Sequence, residues 1–200
     1  MKKVLIATTN FDKFKAVSKI FENTIFPKDK FEIISLADVS LNIKEEKETG
    51  ANLERARMKA HNAWDAVHES EYDFDYVVGL DDAIRIRGTL EPNIKLFIHK
   101  VLFEHLFEDG EEYAFNRAYV IIDKTGKVYE TAIDLPYIYH DAKGDVELKD
   151  HTYPLSVVAY PLGSDKPICE LCEQEEIDYY LKYTKNDLCQ LGRFFLTQNA

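Results

Sequence analysis

The opening two dozen residues restrict the fold more than any other stretch of the chain. Val4-Leu5-Ile6-Ala7 is the apolar centre of a short β-rich segment, Lys3 to Thr8, which enters a polar turn, Thr9-Asn10-Phe11-Asp12. Phe14, Val17, Ile20 and Phe21 follow at helical spacing, so one face of the next element is buried. A strand that feeds a helix through a short polar loop is how α/β sheets begin. It also leaves unpaired N–H groups at the helix start, where the helix dipole favours an anion. Thr8, Thr9, Asn10 and Lys13 bring hydroxyls, an amide and an ammonium to that turn. The same four residues also suit an ordinary capped surface helix with a solvated lysine.

The rest of the chain extends this pattern. Phe31 to Leu36 reads as a second strand, and the charged segment Lys44 to Glu48 leads through Thr49-Gly50 into a helix from Asn52 to about His68. Tyr76 to Leu80 reads as a buried strand ending at Asp81-Asp82, with Ile84 to Arg87 alternating as its continuation. Ile94 to Phe107 has helical periodicity. Tyr113 to Ile122, Val128 to Tyr139 and Ser156 to Tyr160 read as strands, the first two joined by a turn at Asp123-Lys124-Thr125-Gly126-Lys127. Gln174 to Leu196 reads as helix in two pieces. No repeat or Pro/Gly/Ser linker divides residues 1–200, so one mixed-sheet α/β domain is expected.

Charge narrows the function. Thirty-six acidic residues against 25 basic ones give a net charge of −11. Sequence-independent coating of DNA or RNA rests on neutralising phosphates with Lys and Arg, so a nucleic acid polymer is not the expected partner. A few placed lysines can still hold a small anion. No run of about 18 apolar residues suggests a membrane span, and no secretory signal is expected at the start. Three cysteines build no disulfide framework, and a reducing cytoplasm is the expected setting. Cys169-Glu-Leu-Cys172 lacks the second pair of a structural zinc site and would need Cys189 with His140 or His151 to complete it.

Two further groups carry chemistry. Asp81-Asp82 places two repelling carboxylates where open α/β sheets bind ligands, and a divalent cation would relieve the repulsion; a strand-end turn with one capping aspartate is the plainer reading. Glu48-Thr49-Gly50 precedes a helix that carries Lys59, although Lys44 to Glu48 by itself reads as a solvated charge run.

In order and spacing, Thr8-Thr9-Asn10-x-x-Lys13, Glu48-Thr49-Gly50, Lys59-Ala60 and Asp81-Asp82 together resemble the inosine triphosphate pyrophosphatase family, which removes non-canonical purine nucleoside triphosphates. The likeness covers Met1 to about Asp82 and is looser beyond. It implies an elongated mixed sheet flanked by helices, with two lobes around a central cleft. It also implies Mg²⁺-dependent hydrolysis of a nucleoside triphosphate to monophosphate and pyrophosphate. Lys13 and Lys59 then correspond to phosphate contacts, Glu48, Asp81 and Asp82 to metal ligands, and Asp82 to the group that activates water. Lys185 falls on a lysine preceding the base-recognition motif.

Three departures stand out. Ala83-Ile84 replace the family's Ser-Gly, Leu155-Ser156-Val157 its purine-stacking Phe-Asp-Pro, and Cys189-Gln190-Leu191 its base-reading Ser-His-Arg. Gln190 remains able to meet a base with a different donor pattern. The phosphate half is kept and the base half rewritten, so a nucleotide-binding protein with reduced catalysis is the alternative. A homodimer is implied as well, with Phe97, Phe103 and Phe107 of Ile94 to Phe107 as a candidate interface; core packing is the competing account.

Overall fold

The computed structural model describes residues 1–43, 49–141 and 154–197. Its elements run β1 (Lys2–Ile6), α1 (Phe11–Glu22), β2 (Phe31–Ser35), α2 (Asn52–His68), β3 (Tyr76–Ile86), β4 (Thr89–Glu91), α3 (Ile94–Phe103), β5 (Glu112–Asp123), β6 (Val128–Tyr139), β7 (Ala159–Pro161) and α4 (Glu173–Thr197). The sheet order is β2-β1-β3-β5-β6-β7, with β4 added on β3. β1 pairs parallel to both β2 and β3, whereas β4 on β3 and β7 on β6 are antiparallel. The mixed α/β architecture expected from the sequence is therefore present. Chain packing divides it into two compact units, Met1–Asp81 with Arg117–Ile133 and Leu181–Ala200, and Asp82–Asn116 with Asp134–Tyr180.

The first unit is layered around β1, β3 and the near half of β5. α2 presents a row of small residues, Ala56, Ala60 and Ala63, with Val67 behind them. These pack on Leu5, Ala7 and Val77, and on Ala118, Val120 and Ile122 of β5. Contact is closest at Gly79, where a Cβ would lie 2.2 Å from the Ala56 carbonyl oxygen and 2.5 Å from the Ala60 nitrogen. α1 covers the opposite face, its Phe21 ring 5.4 Å from Tyr119. Ala118, Val120 and Ile122 of β5 thus meet α2 and Tyr119 meets α1, as strand alternation requires.

β1 is the strand where the winding reverses. α1 carries the chain from β1 to β2, and α2 carries it back past β1 to β3. α2 runs antiparallel to β3, with Val67 near Val77 and Ala56 near Gly79. Both helices accordingly point their N-termini toward the carboxyl edge of β1 and β3, the place where such sheets bind ligands.

The second unit has an aromatic core. Phe97 of α3 meets Phe107 at 5.6 Å, Phe107 stacks on Tyr113 at 5.0 Å, and Tyr113 stacks on Tyr137 at 5.8 Å. Phe97 and Phe107 are 1% and 6% exposed, so they are core residues and not the dimer surface considered above. The side chain of Phe103 lies outside the described set.

Three expectations change. α3 ends at Phe103, short of Phe107, and the closing helix is continuous from Glu173 to Thr197. Residues expected to start a last strand instead form a 3-10 helix, Pro154–Val157, in which the Val158 N–H donates back to the Leu155 carbonyl; the strand is only Ala159–Pro161. β3 runs through the aspartates to Ile86, in keeping with the alternation read from Ile84 onward. The hairpin turn after β5 is present as read, with Asp123 accepting from the Thr125 N–H, the Thr125 hydroxyl and the Lys127 N–H.

Candidate functional site

The loop after β1 is built by its own polar side chains. The Ala7 N–H donates to the Val78 carbonyl, which ties the end of β1 to β3. The Thr8 hydroxyl accepts from the Asn10 N–H at 3.2 Å, and the Asn10 carboxamide oxygen accepts from the Lys13 N–H at 2.9 Å, capping α1. Thr9 and Asn10 are exposed, while Thr8 and Lys13 are half-buried. Asn10 therefore performs the capping role weighed above, and the loop and the first turn of α1 stand at the carboxyl edge of β1. Phe11, the first residue of α1, is 73% exposed beside it.

α2 begins at a second polar start. Glu54 turns back so that its carboxylate accepts from the Ala51 N–H at 3.0 Å. Gly50, at φ +82°, accommodates that carboxylate, because a Cβ there would lie 1.8 Å from Glu54 Oε2. One residue later the helix carries Arg55, and one turn beyond it Lys59. Both reach Asp81 of β3: Lys59 Nζ donates to Oδ1 at 2.8 Å, and Arg55 Nε lies 2.7 Å from Oδ2. The Arg55 contact is a close charge pair without an aimed N–H. The side chains of Arg55, Asp81 and Lys59 are 12%, 10% and 27% exposed, so water screens the cluster little.

Val77, Gly79 and Asp81 all face α2, which fixes the phase of β3 on that side. In a regular strand the next residue points the other way, so Asp82 leaves β3 on the face opposite to Asp81. It is half-buried. The two adjacent carboxylates thus part company: Asp81 joins the cations of α2, and Asp82 points away from it along β3.

Other site residues fall elsewhere. Lys185 and Gln190 are both exposed on α4, separated by about 140° around the axis at 3.6 residues per turn. Leu155, Ser156 and Val157, the residues in place of the stacking segment, are all buried. Arg85 and Arg87 make ordinary ion pairs, with Asp134 at 2.9 Å and Glu111 at 2.8 Å. Glu48 lies outside the described residues, as does His151. Cys169 and Cys172 are exposed thiols, and among the described residues no group of three or more His, Cys, Asp or Glu is arranged to hold a metal.

Arg55 was not singled out from the sequence. The available signal was its position one turn before Lys59, beside the alanine row that marks the packed face of α2.

No protein-family model and no curated protein sequence matches the chain. Solved structures do. The Ham1 protein of Staphylococcus aureus superposes with a TM-score of 0.65 at 14% identity, covering 99% of this chain and 100% of that one. The fold is that of the Ham1 proteins. A HAM1 protein from Coxiella burnetii gives a TM-score of 0.60 at 14% identity over 98% of this chain and 100% of that one. A nucleoside-triphosphatase, described as a dITP/XTP pyrophosphatase, from Mycobacterium abscessus gives 0.58 at 17% identity over 94% and 98%.

Proposed function

We propose that this Ham1-like chain is a nucleoside triphosphate pyrophosphatase that cleaves its substrate to a monophosphate and pyrophosphate. The observation that supports the reading is the carboxyl edge of β1 beside β3, where two helix N-termini, Lys13 and the Lys59–Asp81 pair stand, with Asp82 next in sequence, on a fold shared with a dITP/XTP pyrophosphatase. The Thr8, Asn10 and Lys13 N–H groups are used within the loop and cap, which leaves those of Thr9, Phe11 and Asp12 to meet phosphate oxygens, and Lys13 and Lys59 add charge. Asp82 orients and deprotonates the water that attacks the α-phosphoryl group.

Mg²⁺ takes hard oxygen donors, commonly one or two carboxylates together with substrate phosphates and water. Asp82 and Glu48 are of that class and would hold it; Asp81, whose two oxygens each meet a cation, stands with Lys59. Bound there, the ion would supply charge neutralisation for the phosphates. The base side of the site is read as diverged, since Leu155 to Val157 are buried and Gln190 stands where the family places histidine. That divergence favours one second reading, a nucleotide-binding protein with little turnover. Cytoplasmic location and a homodimer remain part of the proposal, without an assigned dimer surface.

Pyrophosphate release from a panel of canonical and deaminated nucleoside triphosphates, with and without Mg²⁺, separates the two. Release that depends on Mg²⁺ supports the enzyme. Binding of nucleotide without release from any member would establish the second reading.

A further inference from the structure

A pocket that the nucleotide reading does not use lies in the first unit, near the amino ends of β1 and β2 and away from the carboxyl edge. Its volume is about 390 Å³, within the range of small-molecule sites. Ile34, Val39 and Phe74 give it an apolar floor that is continuous with the core of this unit. Tyr72 forms a wall that is held in place. Its hydroxyl accepts from the Ser40 N–H at 3.2 Å, its own N–H donates to Ser70 Oγ at 3.1 Å, and its ring stands 6.1 Å from that of Phe74. Lys3 is pinned through its backbone, whose N–H donates to Asp75 Oδ2 and whose carbonyl accepts from the Asp75 N–H, both at 2.9 Å.

Four charged side chains line the pocket, Lys3, Glu32, Asp38 and Asp73, and all four are exposed. Among the described residues none of the four side chains makes an ion pair or a hydrogen bond, so one positive charge against three negative leaves a formal −2 that no partner offsets. The three carboxylates are not arranged to hold one metal ion. Separated carboxylates around an apolar floor suit a cation that is itself extended, with charged nitrogens at the rim, methylenes below and an aromatic face beside one nitrogen.

We propose that this pocket binds an aliphatic polyamine, its ammonium groups meeting Glu32, Asp38 and Asp73 and its methylene stem lying on Ile34, Val39 and Phe74 against the Tyr72 ring. Three unpaired carboxylates call for several ammonium groups, where the lysine side chain of a partner protein would bring one. Lys3 opposes the ligand, which gives the proposal a signed test. The site is independent of the nucleotide reading.

Spermidine is the probe, titrated calorimetrically into the full chain without nucleotide at about 0.15 M salt, since a net charge of −11 attracts any polycation. Glu32→Gln, Asp38→Asn and Asp73→Asn are each expected to weaken binding about threefold, the scale of one exposed ion pair, and the triple variant about twentyfold. Tyr72→Leu is expected to cost about threefold. Lys3→Gln is expected to tighten binding about threefold. Asp187→Asn removes the same charge from α4, outside the pocket, and is expected to leave affinity within about twofold. The carboxylates replaced are exposed and unpaired, so these variants keep the fold, and thermal melts check it. A loss at Asp187→Asn equal to that at Asp73→Asn would show only the general attraction of an acidic chain and overturn the proposal. So would looser binding in Lys3→Gln, which marks an anion site, butylamine binding as tightly as spermidine, which marks a site for one ammonium, or no binding of spermidine by the parent.

Discussion

Asp81 and Asp82 have different work because β3 is regular through them. Adjacent in sequence, they read as one acidic pair; the two-residue period of a strand sends them to opposite faces. On this account Asp82→Asn should reduce pyrophosphate release by about a hundredfold or more, the scale of a lost general base, while the circular dichroism spectrum and melting temperature stay as in the parent. A variant with full turnover would remove Asp82 from the mechanism. Asp81→Ala should behave differently. It removes the carboxylate that Arg55 and Lys59 share, and removal of one partner from a largely buried ion cluster costs about 3–5 kcal/mol. Chemical denaturation of the variant checks the figure. The residues of the first constellation were legible because a cap, a hydroxyl and a lysine leave a short, ordered signature. The separation of the two aspartates was not, since it depends on how far β3 continues past Leu80, and Ala83-Ile84-Arg85-Ile86 does not announce an end.

The decisive packing between elements is α2 on β3. Gly79 lets the helix approach until its Ala56 carbonyl would be only 2.2 Å from a Cβ, which is why Arg55 and Lys59 reach the strand at all. Gly79→Ala should cost at least about 1–3 kcal/mol by overpacking, and it should weaken tripolyphosphate binding by moving the helix from Asp81. A melt and a titration on the same sample test both halves.

The β5–β6 hairpin makes a pH prediction. Burial of Asp123 raises its pKa, but the Thr125 hydroxyl and the Thr125 and Lys127 amides outweigh that and hold it below the ordinary 3.8. A folded value below the unfolded one means stability that is complete at neutral pH and is lost as pH falls through the folded value. Asp123→Ala should therefore lower stability near pH 7 by about 1–3 kcal/mol and flatten the acid limb of the stability curve. An unchanged acid limb would contradict this.

Helices and the hairpin were legible in the sequence because periodicity and turn residues are local. The turn at Pro154–Val157 was misread as strand because Val157-Val158-Ala159-Tyr160 has strand composition, while its Val158 N–H closes back on Leu155. Gly192 sits inside the continuous α4, where a Cβ would lie 2.9 Å from an Ile25 methyl, so close approach, not a break, explains that glycine.

At the scale of the whole molecule, the strand–loop–helix opening and the reversal at β1 put two helix N-termini at one sheet edge of an acidic chain. The fold is shared across nearly the full length with Ham1 proteins at 14% identity, which shows how little of the sequence the architecture needs. The proposed base side was legible only as departures from the family's motifs at Leu155 to Val157 and Cys189 to Leu191. Ligand that binds only the folded chain must raise its melting temperature, and tripolyphosphate at a hundred times its dissociation constant should add about 2.7 kcal/mol of stability. No shift at saturating tripolyphosphate would contradict the anion site.

The most direct test of the central claim is phosphorus NMR of a nucleoside triphosphate incubated with the full chain and Mg²⁺. The account predicts nucleoside monophosphate and pyrophosphate appearing in equal amounts; nucleoside diphosphate with orthophosphate, or an unchanged triphosphate for every base offered, would contradict it.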